Sequence, residues 1–142
     1  MKRHGVVLYV DDSESIQWLV KRFFEKRYPA FEFVTAPTAE LAWDELEARR
    51  DGAAFPSAVV TDMHLSGFTD GLTLVERIRS EFPMIRTIVV STTLSQEDRE
   101  CSFIAGAHAV VEKTLSIDQF ITLLFDLVQG STEVVPVRFR AA

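Results

Sequence analysis

The sequence has 142 residues, 15 of them Lys or Arg and 21 Asp or Glu, for a formal charge of −6 with His neutral. Hydrophobic residues at 47% and charged residues at 25% are ordinary globular usage, which excludes disordered, collagen-like and low-complexity classes. The acidic balance supplies no general electrostatic drive toward nucleic acid or an anionic membrane surface, and the lone Cys101 excludes an intrachain disulfide or a cysteine-based zinc site.

Met1 to His4 is basic like the start of a signal peptide, but the apolar run Val6 to Val10 stops at Asp11 and Asp12. No window nears the roughly 18 apolar residues of a membrane span. These features predict a soluble, cytoplasmic domain over residues 1–130, followed by a tail.

Short β-branched runs alternate with amphipathic segments, the pattern of βαβ units around a parallel sheet. The strands are expected at Val6 to Val10, Phe31 to Thr35, Ala58 to Thr61, Thr87 to Ser91 and Ala109 to Glu112. Three are almost wholly apolar, which suits interior strands, whereas the alternating Phe31 run suits an edge. The first helix should run from about Ser13 to Arg27 on a stripe of Ile16, Leu19, Val20, Phe23 and Phe24. Thr38 can cap the second, with Leu41, Ala42 and Leu46 as its stripe; Leu72, Val75 and Ile78 mark the third. Ser95 and Asp98 resemble a capping box ahead of Phe103 and Ile104, and Ser116 caps a last helix that closes at Gly130.

In the tail, residues 131–142, Val135, Val137 and Phe139 alternate with Pro136, Arg138 and Arg140. That suits an extra edge strand or a partner-binding peptide; a partly ordered terminus is the equal alternative. Trp18 and Trp43 lie off the main helical stripes, as packing residues or as an exposed contact surface. Cys101 is expected to be a small, partly buried side chain.

Ligands of open parallel α/β sheets sit at the carboxyl ends of the strands. There the first strand delivers Asp11 and Asp12, the third Asp62, the fourth Ser91 and Thr92, and the fifth Lys113. Adjacent carboxylates repel unless a cation neutralises them, and oxygen-only donors favour Mg²⁺. Asp62 could then be a nucleophile forming an aspartyl-phosphate, with Lys113 and Ser91 facing phosphate oxygens. Asp12 as a helix cap and Asp62 with Lys113 as a surface ion pair would explain each feature singly, but not their joint placement.

From Val6 to Gln129 the chain resembles the receiver domains of bacterial two-component response regulators. The resemblance is carried by Asp11-Asp12, Val59-Val60-Thr61-Asp62, Asp70-Gly71-Leu72, Val89-Val90-Ser91, and Ala105-Gly106-Ala107 leading to Lys113. It implies a flavodoxin-like, doubly wound, five-stranded parallel sheet of strand order 2-1-3-4-5. It also implies Asp62 as phosphoacceptor, with Asp12 and Asp62 as Mg²⁺ ligands, Asp11 a ligand mainly through water, and the backbone carbonyl of His64 completing the protein set. Ser91, Thr92 and Lys113 take the positions around the phosphoryl group, and Ser91 and Val110 the two switch positions.

Four positions depart from the family pattern. Ser66 stands where proline is usual, in a loop one residue longer before Asp70-Gly71. Thr92 replaces a small residue and would narrow the phosphodonor's approach. Thr114 follows Lys113 where proline commonly holds a cis peptide; a non-proline cis bond costs about 2.5 to 4 kcal/mol, so a trans bond is expected. Val110 replaces the usual switch aromatic.

The expected function is a stand-alone receiver that accepts a phosphoryl group on Asp62 from a sensor histidine kinase or phosphotransfer protein. It would signal through a downstream protein effector or a homodimer, without separate substrate turnover. The alternative is a receiver-like interaction module that works without phosphorylation. A flavin protein would need an anion-binding loop where Asp11-Asp12 stands, and an aspartyl phosphatase an Asp-x-Asp pair that Asp11-Asp12-Ser13 lacks.

Overall fold

The computed structural model describes residues 5–52, 54–113 and 116–130. Strands β1 (Gly5–Val10), β2 (Phe31–Ala36), β3 (Ala58–Asp62), β4 (Arg86–Ser91) and β5 (Ala109–Glu112) alternate with helices α1 (Glu14–Arg27), α2 (Ala39–Ala48), α3 (Gly71–Glu81), α4 (Gln96–Ala105) and α5 (Ile117–Gln129). The strands pair in parallel in the order β2-β1-β3-β4-β5. This is the doubly wound flavodoxin-like order expected from the resemblance. Every residue of β3 is buried, while the alternating β2 lies at an edge.

Period-two alternation divides the strand side chains between two layers. Val7, Tyr9, Phe33, Val60, Val90 and Val111 pack with Val20 and Phe24 of α1 and with the apolar stripe of α5. On the opposite face Leu8, Val10 and Val59 pack against α2 and α3, and Val89 and Val110 join Met63, Val75 and Ala105. The α1 and α5 sides are joined further by Tyr28 stacked on Phe125, with ring centroids 3.7 Å apart.

Helix starts follow local chemistry. Ser13, Thr38, Asp70, Ser95 and Ser116 each accept a first-turn N–H, with complete capping boxes at Ser95 and Ser116. Ser13, and not Asp12, is thus the α1 cap, which leaves Asp12 free for the cleft. Gly106 and Gly130 end α4 and α5 in the left-handed conformation that glycine adopts without a Cβ penalty.

Two expectations about helix residues are corrected, Leu41 in the buried stripe of α2 and Cys101 as a partly buried side chain. In α2 the buried stripe is Ala39, Ala42, Trp43 and Leu46, leaving Leu41 50% exposed; Trp43 packs on Phe82 and carries the Arg77 guanidinium 3.9 Å over its ring. In α4 the buried side chains are Arg99, Ser102 and Ala105, so Ile104 is 74% exposed. Cys101 shares that outer face and is exposed. Trp18 is exposed too, with Arg22 over its ring.

Candidate functional site

Three strand ends build the cleft. β1 and β3 are neighbours, so the loop after Val10 and the last residue of β3 bring Asp11, Asp12 and Asp62 together, with ligand oxygens all within 4.8 Å of one another. β5 lies two strands from β3, yet Lys113 spans the gap. Its Nζ donates to Asp11 Oδ2 at 2.9 Å and pairs with Asp62 Oδ1. The base of the Lys113 side chain is fixed by its own N–H, which donates to the Ser91 carbonyl at 2.8 Å.

The three carboxylates differ in environment. Asp11 is 1% exposed and Asp62 9%, while Asp12 faces solvent. The Ser13 backbone N–H donates to Asp11 Oδ1 at 2.9 Å, and the Tyr9 hydroxyl lies 3.3 Å from Oδ2. Asp12 Oδ2 accepts from the Ser66 backbone N–H at 3.3 Å. Proline could not make that bond, so the Ser66 departure adds a donor to the cleft.

Burial pushes the Asp62 carboxyl up to about 7; the Lys113 ammonium pulls in the opposite direction, and the charge of Asp11 adds to the rise. Burial would lower the Lys113 ammonium, but Asp62 and Asp11 outweigh it and hold Lys113 above its ordinary range. The Tyr9 phenol is raised by burial, then by the charges of Asp11 and Asp62, and stays a proton donor.

Gly71 holds the Asp62 backbone in place. Its N–H donates to the Met63 carbonyl at 3.1 Å, and an ideal Cβ would stand 1.9 Å from the Asp62 carbonyl oxygen. Only glycine lets the first turn of α3 approach the end of β3 this closely.

Other residues of the expected set surround this centre without joining it. Ser91 is buried at the end of β4, and its hydroxyl donates to the Thr93 carbonyl at 3.0 Å. Thr92 and His64 are exposed. His64 lies near α4, where the Ser95 backbone N–H first, and the His64 charge among lesser causes, hold Asp98 below the usual carboxylate range. Val110 is fully buried in β5, packed toward α3 and α4. The Lys113–Thr114 bond and the tail, residues 131–142, lie outside the described residues.

A hard cation fits this donor set. Asp11, Asp12 and Asp62 offer only oxygens, and the negative charge of the trio exceeds what Lys113 alone can balance. The Tyr9 hydroxyl and the backbone N–H groups of Ser13 and Ser66 are donors to the cluster that the sequence reading did not place there. Tyr9 alone carried a signal, since it lies two residues before Asp11 and so on the same side of the strand.

The family model for the response regulator receiver domain matches residues 7–125. The chain belongs to this family. It is 27% identical over 122 residues to the DNA-binding transcriptional regulator NtrC of Escherichia coli K12, covering 86% of this chain and 24% of that protein. It is 29% identical over 118 residues to the nitrogen assimilation regulatory protein NtrX of Azorhizobium caulinodans, covering 82% and 24%. The chain therefore spans about a quarter of the length of the curated relatives it matches.

Among solved structures, a CheY-like response regulator receiver domain protein from Methanospirillum hungatei JF-1 superposes with a TM-score of 0.75 at 23% identity, covering 89% of this chain and 94% of that one. The chemotaxis response regulator CheY4 of Vibrio cholerae gives 0.74 at 21% identity, covering 87% and 98%. Receiver domains of two-component systems are aspartyl-phosphate switches that bind Mg²⁺ in an acidic pocket, and this chain gathers Asp11, Asp12 and Asp62 into an acidic cluster at its strand ends.

Proposed function

We propose that this receiver takes a phosphoryl group onto Asp62 from the phosphohistidine of a sensor histidine kinase or phosphotransfer protein, and passes the signal on by changing its contacts with a downstream protein effector. The observation that carries this reading is the Asp62 carboxylate, held at a strand end between a resident ammonium and two further carboxylates. In the transfer, an Asp62 oxygen attacks phosphorus as the donor's P–N bond breaks, and the bonding pair leaves with the donor imidazole.

Asp11, Asp12, Asp62 and the His64 carbonyl would hold Mg²⁺. Bound there, Mg²⁺ supplies positive charge against the equatorial oxygens of the transferring group. Lys113 is already at Asp62 and needs only to turn from carboxylate to phosphoryl oxygen. Ser91 must release the Thr93 carbonyl before its hydroxyl can donate inward. Thr92, exposed beside it, borders the donor's approach. A cytoplasmic setting suits such a partner, and no helix among the described residues is long and apolar enough to cross a membrane.

Phosphorylation replaces the single charge of the Asp62 carboxylate with the roughly −2 of a phosphoryl group, adding about one negative charge to a cleft that is already acidic. With valine in place of the switch aromatic, the path toward α4 runs through backbone and packing. Lys113 follows Glu112, which pairs with Arg99 of α4 at 3.1 Å.

The test is intact-mass spectrometry after incubation with acetyl phosphate and Mg²⁺. One added phosphoryl mass, absent in Asp62→Asn and absent with EDTA, is expected. An unmodified wild-type chain that also fails to bind beryllofluoride would favour the phosphorylation-independent interaction module.

A further inference from the structure

Both oxygens of Asp11 are engaged. The Ser13 N–H holds Oδ1, while Lys113 Nζ at 2.9 Å and the Tyr9 hydroxyl at 3.3 Å share Oδ2. Tyr9 is completely buried, and its ring packs 5.7 Å from that of Phe33 in the layer covered by α1 and α5. A phenol in this layer brings a hydroxyl that must find a partner or carry a desolvation cost. Phenylalanine would fill the same space without that demand. The hydroxyl's partner is Asp11, a residue of the acidic pocket.

The sharing of Oδ2 matters because Lys113 also holds Asp62. When Lys113 turns to a phosphoryl oxygen on Asp62, its hold on Asp11 weakens, and a nearly inaccessible carboxylate keeps one side-chain donor. The Tyr9 contact is longer than the roughly 2.5–2.7 Å of an O–H···O⁻ bond, so it has room to shorten as the ammonium leaves.

We infer that Tyr9 is a positioning residue for the Mg²⁺ pocket. Its hydroxyl fixes the Asp11 carboxylate for the cation and keeps it satisfied while Lys113 serves the phosphoryl group. The inference rests on the assignment of Asp62 as phosphoacceptor.

The experiment is calorimetric titration of MgCl₂ into wild type, Tyr9→Phe and Tyr9→Leu, with melting curves in EDTA beside it. Beryllofluoride binding in saturating Mg²⁺ is measured on the same chains. Tyr9→Phe keeps the ring, so its melting temperature in EDTA should stay close to wild type. Its Kd for Mg²⁺ should rise about tenfold, the low end of the ~10–100-fold loss seen when an outer-shell partner of a ligand is removed. Tyr9→Leu, equally without a donor, should lose at least as much affinity, and it serves as the second reading if the Phe variant folds poorly.

An unchanged or tighter Kd in both variants overturns the inference and makes Tyr9 core filler. A wild-type chain that binds neither Mg²⁺ nor beryllofluoride brings down the receiver chemistry itself, and the inference with it. That result differs plainly from normal wild-type binding shared by the variants.

Discussion

A methyl group at Gly71 has no space, because its ideal position lies 1.9 Å from the Asp62 carbonyl oxygen. Gly71→Ala must therefore push α3 away or tilt the strand end that carries Asp62. Overpacking of this kind costs roughly 1–3 kcal/mol, so chemical denaturation should show a loss of that size. Because the displaced atoms belong to Asp62, Mg²⁺ affinity should fall as well. A Gly71→Ala chain with wild-type stability and Mg²⁺ binding would show that the first turn of α3 adjusts freely. Residues at this scale differ in how openly the sequence displays them. Asp11, Asp12, Asp62 and Lys113 are legible because each interrupts or ends a β-branched run, where a charge has no packing reason to be. Tyr9 is hidden because an aromatic inside an apolar strand resembles core, and only the two-residue strand period ties it to Asp11.

Among the elements, β4 and β5 are joined by more than their ladder. The Thr87 backbone N–H donates to His108 Nδ1 at 3.0 Å, and the His108 N–H donates to the Thr87 carbonyl at 2.8 Å, extending the pairing by one rung. Nδ1 can accept only while it carries no proton. Burial, then the charge of Arg86, lowers the imidazole's pKa accordingly. Below the unfolded-state value of about 6.5 the unfolded chain binds more protons than the native one, so this stabilisation is present above that pH and is lost as pH falls. His108→Ala leaves the Thr87 N–H without its acceptor and should cost about 1–3 kcal/mol at pH 8. Urea titrations from pH 5 to 8 should show the gap between wild type and variant narrowing toward the acid end; a constant gap would remove His108 from the pH dependence. Helices were the less legible elements for a related reason. The buried face of α4 is made by Arg99 and Ser102, with Arg99 paired to Glu112 and Ser102 bonded to the Asp98 carbonyl at 2.8 Å. A hydropathy stripe ranks such residues as solvent-facing, and so points to Ile104 instead. In α2 a shift of one or two positions along the helix decides between Leu41 and Trp43, and Trp43 is buried because Phe82 and Arg77 enclose it.

Over the whole molecule, the apolar core and the charged cleft pull stability in different directions, and pH decides the balance. The Asp62 carboxyl is raised mainly by burial to about 7, above its unfolded value of 3.8. Between those values the native state binds more protons than the unfolded one, so without Mg²⁺ the contribution of Asp62 to stability is full below pH 3.8 and is lost as pH rises through 7. At pH 8 the ionised cleft is therefore a burden on the fold. Asp62→Asn removes that burden and keeps the Lys113–Asp11 pair, so in EDTA at pH 8 it should melt higher than wild type. A rise of about 3–4 °C is what ~1 kcal/mol produces near this domain size. Mg²⁺ should stabilise the two chains unequally. It binds the ionised pocket of the native state, so wild type gains about 2.7 kcal/mol at a concentration one hundred times Kd, while Asp62→Asn gains far less. Protons compete for the same carboxylate, and the wild-type gain should shrink as pH is lowered from 8 to 6. Melting curves of both chains with MgCl₂ or EDTA at these pH values separate the effects. If Asp62→Asn melts below wild type in EDTA at pH 8, the Lys113–Asp62 pair outweighs the cost of burying the carboxylate. The cleft is then a net source of stability even before a cation arrives.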